Sequence, residues 1–448
     1  MKKCLNIILL LIVALGFTSC KKFLEEPPNE INNQEKLATY EEILKSPDIT
    51  NSYPYQMLYM SDEVRADFTE ANNSPTANAY FWRSQLNKDT DSIPVIWGQC
   101  YRSIHKANMI INNVMNVEDG TEAKKKALLG EALTLRAVYY FDLLTVYAKA
   151  YDQKTAATDP GVPLLTTENL TEIYPQRSSV QEAFDAIIYE LKAAETLLPT
   201  TAEDHSRINK YSAFGILARI YLYMQNYDQA MIYANKALAA PHQVLDYNDY
   251  VNAGALEIPQ YNINPEVLWH RLPDKSNAIW SIYYDDVLAS RFRYDDLRFI
   301  IFSVDDGYYH WNYYPPGNGT FGMTFPELYL IKAEVLARHQ KIDEALEVLN
   351  ALRVKRISKG SYKPLKESIY FGALYLILKE RYLELPFKGV RWADMKRLDA
   401  IGEMQEVNHY KFWSNAIVAT LLPKSPKYTF EIPSRVLMFN PNMTKNFR

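Results

Sequence analysis

The chain has 448 residues, with 49 lysines and arginines against 53 aspartates and glutamates, and a formal net charge of −4 at pH 7. This near balance argues against a nucleic-acid-binding surface, which is usually strongly basic. The length is ample for a large hydrophobic core. Tyrosine is frequent, with 34 Tyr against 18 Phe, and its ring with a hydrogen-bonding tip suits contact surfaces as well as helix packing.

The first twenty residues are typical of an exported lipoprotein. Lys2 and Lys3 precede a run over residues 5–16 that is apolar apart from Asn6, and small residues then lead to Cys20. A positive start, an apolar centre and small residues before a cut define a secretory signal, and the cysteine adds a thiol that can carry lipid. We predict a signal peptide over residues 1–19 and lipidation of Cys20.

Two alternatives to lipidation are a transmembrane helix and an ordinary signal peptide. Only 17 uncharged residues separate Lys3 from Lys21, whereas a spanning helix needs about 20 apolar ones. A polar tether over residues 20–33 is predicted to lead off the membrane. Cleavage removes Cys4 and lipid occupies Cys20, so Cys100 is left without a disulfide partner, and we expect it to be buried.

Helical periodicity dominates the rest of the chain. Apolar residues recur at three- and four-residue spacing over residues 97–114, and residues 128–147 are apolar on most sides, as expected for a central buried helix. Ser179 with Glu182 is a capping pattern that predicts a helix ending before Pro199.

A stronger repeat follows. The offsets of small and large residues within 211–241 match a tetratricopeptide helix pair, in which alanines let two helices approach closely. The same offsets recur after Pro326, and the matching positions are Ala218, Tyr221, Ala230 and Ala237 in the first copy and Ala333, Leu336, Ala345 and Leu352 in the second. Weaker pairs are suspected at residues 128–198 and 366–398.

The two clear copies are separated by residues 243–325, which are rich in aromatic, Asn, Asp, Pro and Gly residues. This gap is too long for a connection and has little helical period. We therefore predict a mostly α-helical fold, with one domain over residues 34–448 and a large loop-rich insertion. Insertions from helical repeats often form a binding face.

Taken together, these features and several sequence runs resemble the SusD/RagB family of nutrient-binding outer-membrane lipoproteins of Bacteroidetes. The matching runs, in order, are SCKKFL at residues 19–24, WGQCYRSIHKAN at 97–108, GEALTLRAVYYFDLLTVY at 130–147, LYLIKAEVLARHQKIDEALEVLNALRVKR at 328–356 and LKERYLELPFKGVRWADMKRL at 378–398, with Ile432-Pro433 and Asn440-Pro441 near the end. Three positions depart from the family pattern and are expected to be surface variation: Lys388, Val436 and Lys445.

The resemblance implies a SusD-like fold and a partner. The partner is a SusC-like TonB-dependent barrel in the same outer membrane, to which a captured oligosaccharide would be delivered. It also implies a lipid-anchored location in the outer membrane, on the side facing the cell exterior. Some family members serve peptides, so a peptide or other nutrient remains an alternative ligand.

Charged clusters raise a catalytic alternative. Glu380 and Glu384 lie one helical turn apart and could act as a glycosidase acid–base pair, but pairing with Arg381 and Arg391 is the structural alternative that the resemblance favours. Asp285-Asp286, Asp295-Asp296 and Asp305-Asp306 fit no calcium loop and are expected to be solvated, as is the basic run at residues 353–366. The histidines form no zinc pattern, and we predict no catalytic residue, metal or cofactor.

The ligand site is predicted from aromatic and polar residues together. A sugar ring can stack on Trp or Tyr, while its hydroxyls need Asn, Asp or Arg. The candidate ligand-binding residues are Asp62, Arg65, Tyr80, Trp82, Trp280, Tyr283, Tyr309 and Trp311, and ordinary core packing is the alternative for each ring. Two other functions remain open: an extracellular glycoside hydrolase, and a protein–protein scaffold without a small ligand.

Overall fold

The structure is a computed structural model that describes residues 36–169, 175–252, 257–274, 282–305, 311–313 and 320–446. The predicted signal peptide, the lipid site Cys20 and the tether over residues 20–33 lie outside the described residues, as do Trp280 and Tyr309.

The N-terminal half is helical, as predicted. Its helices are α1 (Leu37–Lys45), α2 (Pro47–Thr50), α3 (Pro75–Tyr80), α4 (Val95–Asn113), α5 (Glu122–Tyr147) and α6 (Val180–Leu197). The Ser179–Glu182 capping box is present at the start of α6. Helix α5 begins six residues earlier than predicted, because Thr121 accepts a hydrogen bond from the Lys124 N–H and so caps a polar first turn that has no apolar period.

Helices also dominate the C-terminal half. They are α7 (Lys210–Tyr223), α8 (Tyr227–Leu238), α9 (Asp286–Arg291), α10 (Leu297–Phe302), α11 (Phe325–Arg338), α12 (Ile342–Arg353), α13 (Tyr370–Glu384), α14 (Arg391–Ala400) and α15 (Ser434–Phe439). The predicted helix pairs at α7–α8 and α11–α12 are present, and their alanines at positions 218, 230, 237, 333 and 345 are fully buried. Pro326 lies in the first turn of α11, as predicted.

Helix α5 packs extensively against both α4 and α6. Close approach to α6 depends on Gly130, because a Cβ atom there would lie 2.8 Å from Leu198 Cγ. The buried Arg136–Glu190 ion pair, 2.8 Å between Nη2 and Oε1, links the same two helices. Cys100 on α4 is a free, buried thiol, as expected.

Short strands bring distant segments together. They are β1 (Val64–Arg65), β2 (Val267–Trp269), β3 (Tyr283–Tyr284), β4 (Ser303–Asp305), β5 (Trp311–Tyr313), β6 (Met323–Thr324), β7 (Val407–Tyr410) and β8 (Ile417–Leu421). A four-stranded antiparallel sheet has the order β1–β3–β5–β4, β2 pairs with β6, and β7 with β8. The described parts of the insertion are therefore more regular than predicted, since strands of two or three residues leave no period to detect.

Within the described ranges, no helix has both the length and the apolar character needed to cross a bilayer.

The charged cluster on α13 is a buried ion-pair network, but with partners other than those predicted. Glu380 pairs with Arg353 at 2.9 Å and with Arg298 at 2.7 Å. Glu384 binds Arg356 and Arg298, both at 2.9 Å. Arg381 instead binds Asp394 at 2.7 Å. The partners come from α10, from the end of α12 and the segment after it, and from α14, and tertiary packing decides how these segments approach α13.

The expectation that the paired aspartates and the basic run are solvated was wrong for several of these residues, although Asp286 and Lys359 are exposed. Asp285, Asp295 and Asp296 are each at most 3% exposed, and Arg356 is fully buried. Asp296 pairs with Arg298 at 2.7 Å, and Arg356 pairs with Glu266 at 2.6 Å. The burial of Asp296 and Arg356 is tolerable because each is paired with an opposite charge.

Candidate functional site

A cavity of about 410 Å³ with both polar and apolar lining lies where α9, α13, α14 and β7 meet beside Asp62. We call it the Asp62 cavity, and its lining includes Asp62, Asp285, Arg291, Tyr375, Tyr382 and Tyr410. Its volume falls in the range of small-molecule sites, about 300–1,000 Å³. Three tyrosines with acidic and basic groups form a lining that can meet both ring faces and hydroxyls.

One wall is fixed by Asp62, which the sequence analysis selected. Arg391 donates from Nε and Nη2 to the two carboxylate oxygens of Asp62, each at 2.7 Å. The Arg391 guanidinium lies 4.3 Å from the centre of the Tyr382 ring, and the Tyr382 hydroxyl donates to the Asp62 carbonyl at 2.8 Å. This bidentate, stacked arrangement is rigid, so the wall is preformed.

Two lining groups have hydrogen-bonding capacity to spare. Asp285 caps α9, where its Oδ1 accepts from the Val287 N–H at 2.9 Å, while its Oδ2 is buried without a hydrogen-bond partner. Arg291 Nε is likewise buried without a partner. Burial raises the pKa of Asp285 to about 7. An unpaired acceptor and an unpaired donor in one cavity are costly unless a ligand or water meets them.

Glu63 lies beneath the cavity wall and is 1% exposed. Burial, reinforced by the neighbouring Asp62 charge, raises the pKa of Glu63 to about 8. Its Oε2 accepts from the Phe387 N–H at 3.1 Å, and Phe387 has a φ of 58°. Glu63 therefore ties β1 to the turn before α14, and Arg391 leads from that turn into the wall.

Arg65, predicted to bind ligand, instead organises a loop. Its Nε donates to the Phe412 carbonyl at 3.2 Å, and its Nη2 donates to the carbonyls of Lys411 at 2.9 Å and Ser414 at 2.8 Å. It also pairs with Asp286. Arg65 is 2% exposed, so its guanidinium is committed to the turn between β7 and β8. We call residues 411–416 the Trp413 loop.

The Trp413 loop presents an aromatic surface beside the cavity. Tyr283, a predicted ligand residue, contacts Phe412 edge-on at 4.8 Å between ring centres, and Phe412 contacts Trp413 at 4.7 Å. Trp413 is 59% exposed. Tyr410, which lines the cavity, is the residue before the loop, so the aromatic surface and the cavity adjoin.

Tyr80 and Trp82 lie in the core, with their rings closed to solvent. Their exposures are 0% and 1%, and both rings stack on His409, at 4.1 and 4.0 Å between centres. The Trp82 indole N–H donates to the Met60 carbonyl at 2.9 Å. The alternative of core packing therefore describes these two candidates in this structure, because neither has a free face for a ligand.

The remaining candidates lie in the insertion. Trp280 and Tyr309 fall outside the described residues. Trp311 lies in β5, where its backbone pairs with Asp305 of β4. This sheet also contains Arg65 and Tyr283 in register with each other, so three of the selected positions share one sheet.

Sequence reasoning missed part of this site. Tyr375 and Tyr382 are seven residues apart on α13 and therefore share a helix face, a spacing that could have been noticed. Tyr410 carries no such signal, since the β7–β8 hairpin places it in the same cavity lining as residues of α13, and Trp413 follows it in the loop of that hairpin.

The hydrolase alternative depends on Glu380 and Glu384, which are 4% and 8% exposed. Burial by itself would raise the pKa of Glu384, but Arg356 and Arg298 outweigh it and hold that pKa below its usual value. A general acid needs the opposite change. In the part of the chain that the structure describes, no group of three or more His, Cys, Asp or Glu residues is arranged to hold a metal ion.

Comparison with known families gives two matches that together span most of the chain. Residues 22–222 match a family model described as "Starch-binding associating with outer membrane", and residues 320–448 match the model of the SusD family. SusD-like protein P38 of Formosa agariphila is 25% identical over 91% of this chain and 94% of its own length. SusD-like protein P2 of the same organism is 22% identical over 89% of both chains.

Solved structures agree on the fold. A SusD superfamily protein from Bacteroides thetaiotaomicron superposes with a TM-score of 0.76 at 18% identity, covering 92% of this chain and 100% of that one. A putative sugar binding protein from Bacteroides vulgatus has a TM-score of 0.73 at 21% identity, covering 92% and 96%. The predicted mostly α-helical, SusD-like fold is confirmed, and the chain belongs to the SusD family.

Proposed function

We propose that this chain is a lipid-anchored surface protein that captures an oligosaccharide and delivers it to a SusC-like TonB-dependent barrel. In this proposal it performs no chemistry on the ligand. The observation that carries the proposal is the preformed Asp62 cavity, with unpaired hydrogen-bonding groups beside an exposed tryptophan. The family description as starch-binding and outer-membrane-associated supports the ligand class and the location.

The lining chemistry suits a saccharide. The exposed Trp413 face and the Tyr375 ring, 59% and 57% exposed, offer surfaces on which the C–H face of a sugar can stack. Asp285 Oδ2 can accept from a hydroxyl, and Arg291 Nε can donate to one. A ligand that is apolar on its faces and rich in hydroxyls at its edges meets both needs.

The rest of the proposal concerns delivery. Lipid on Cys20 would hold the protein at the outer membrane, and residues 20–33 would let it sit over the mouth of the barrel. Such an anchor is durable only with more than one acyl chain. Binding without turnover then follows, since the carboxylates of α13 are occupied by arginines.

Calorimetric titration tests the ligand half. An oligosaccharide selected from a glycan array should bind the wild-type protein, and Tyr375→Ala and Trp413→Ala should each weaken binding about tenfold. Tyr189→Ala is the matched control, because Tyr189 is 76% exposed on α6 and lies outside the cavity lining. Binding of peptides but of no glycan would contradict the ligand class.

Chromatography after incubation separates binding from hydrolysis. We expect each bound oligosaccharide to be recovered intact. Product formation that Glu380→Gln abolishes would instead establish the hydrolase alternative. Co-purification of a barrel from native membranes tests the partner, and a protein that binds neither barrel nor glycan would contradict both halves.

A further inference from the structure

A second cavity, of about 360 Å³, lies between α2, the start of α4 and the 3-10 turn over Tyr55–Met60. We call it the Gln56 cavity. Its lining includes Asn51, Gln56, Ile93, Pro94, Gln99 and Arg102. None of its lining residues lines the Asp62 cavity, so the two are separate sites on the described surface.

Two amide oxygens at this cavity lack partners. Gln56 is 2% exposed, and its Oε1 is buried with no hydrogen-bond partner. Gln99 Oε1 is also buried with no hydrogen-bond partner. The Gln99 amide nitrogen donates to the Ser52 carbonyl at 3.1 Å, which fixes the direction of that side chain and leaves its oxygen on the opposite side. Buried orphan acceptors are rare, because each costs free energy.

The two carboxylates of the cavity each have a donor partner. Asp48 accepts from Lys106 at 2.5 Å between Nζ and Oδ2, and Asp274 Oδ1 accepts from the Tyr55 N–H at 3.1 Å. The two glutamine Oε1 atoms therefore still lack hydrogen-bond donors, and the donors that suit them are neutral ones. Arg102 adds a donor at the edge, and Ile93, which is 59% exposed, with Pro94 forms an apolar wall.

From this arrangement we infer that the Gln56 cavity is a second saccharide-binding site, which takes a neutral, polyhydroxylated ligand. Ring hydroxyls donate to Gln56 Oε1 and Gln99 Oε1, Arg102 donates to a ring or hydroxyl oxygen, and the C–H face lies on Ile93 and Pro94. The volume lies within the range of small-molecule sites. The inference adds a site to the proposed function and does not depend on the Asp62 cavity.

The test is a titration of the full chain with maltose, followed by NMR and calorimetry. We expect Gln56→Met to weaken maltose binding about tenfold or more, and to raise the melting temperature by about 2 °C, because the variant removes a buried unpaired acceptor. A purely structural glutamine would lower the melting temperature instead. Gln229→Met is the control, since Gln229 on α8 lines neither cavity.

Four outcomes overturn the inference. Maltose binding that is unchanged in Gln56→Met would do so, as would the absence of any maltose binding. Binding that disappears in the Tyr375→Ala/Trp413→Ala double variant would show that maltose occupies the Asp62 cavity alone, and the proposed function would stand. Maltose binding that survives in the Tyr375→Ala/Trp413→Ala double variant but is lost in Gln56→Met would support the Gln56 cavity as a saccharide site, without supporting the Asp62 cavity. Calcium binding in place of maltose would contradict the hydroxyl assignment.

Discussion

Replacing Glu63 by glutamine should make the protein more stable at alkaline pH. Glu63 is buried under the Asp62 wall, and burial raises its pKa to about 8 from 4.5. A carboxyl with a raised pKa in the folded state favours folding when protonated. Its contribution is complete below pH 4.5 and is lost as the pH rises toward 8. Glutamine imitates the protonated form at every pH.

The magnitude follows from the two pKa values. Each unit of difference between the folded-state and unfolded-state pKa corresponds to about 1.36 kcal/mol in the free energy of unfolding. Between pH 5 and pH 8, ionisation of Glu63 should therefore cost the folded protein about 3.5 kcal/mol. With an unfolding entropy of about 2.1 cal/mol/K per residue, this is a change of about 4 °C in melting temperature for a chain of this size.

Thermal melts at pH 5, 6, 7 and 8 provide the assay. The melting temperature of Glu63→Gln minus that of wild type should grow by about 4 °C from pH 5 to pH 8. Glu347→Gln is the matched control, because Glu347 is exposed on α12. Some pH dependence remains in the variant, since burial also raises the pKa of Asp285 to about 7.

Parallel pH profiles for wild type and Glu63→Gln would refute this reasoning. So would a variant that is less stable than wild type at pH 8, because that result requires an ionised, favourably paired Glu63 in the folded protein.

Three further results are expected. Arg391→Met should destabilise the protein by about 3 kcal/mol, because the Asp62 carboxylate, only 18% exposed, loses its bidentate partner; an unchanged urea midpoint would contradict this. Trp82→Phe should cost about 1–3 kcal/mol through the orphaned Met60 carbonyl and leave oligosaccharide affinity unchanged in calorimetry, whereas a selective loss of affinity would return Trp82 to the ligand site. Cys20→Ala should release the protein from membranes while ligand affinity is kept, and a variant still membrane-bound after a high-salt wash would show that the anchor lies elsewhere.

The helices were predictable because their signals are local. The capping box at Ser179 and the alanine offsets of α7–α8 and α11–α12 depend on residues within a few turns of one another, and the structure has the helices where those signals lie. Boundaries were less certain, as at α5, where the first turn is polar and only its Thr121 cap marks the start.

The candidate site was only partly predictable, because its parts come from distant segments. Asp62, a predicted ligand-binding residue, lines a cavity, but its partner Arg391 lies 329 positions away, and no local pattern pairs them. Trp82 looked like a ligand-binding aromatic because it lies in a polar loop region, yet His409 covers its ring. Aromatic residues serve cores and binding sites equally well, so composition alone could not separate Trp82 from Trp413.

A crystal structure with the oligosaccharide selected by glycan array tests the central claim most directly. The account predicts an intact saccharide in the Asp62 cavity, within hydrogen-bond distance of Asp285 Oδ2 and with one ring against Tyr375 or Trp413. A ligand bound only outside this cavity, or a cleaved saccharide beside Glu380 and Glu384, would contradict it.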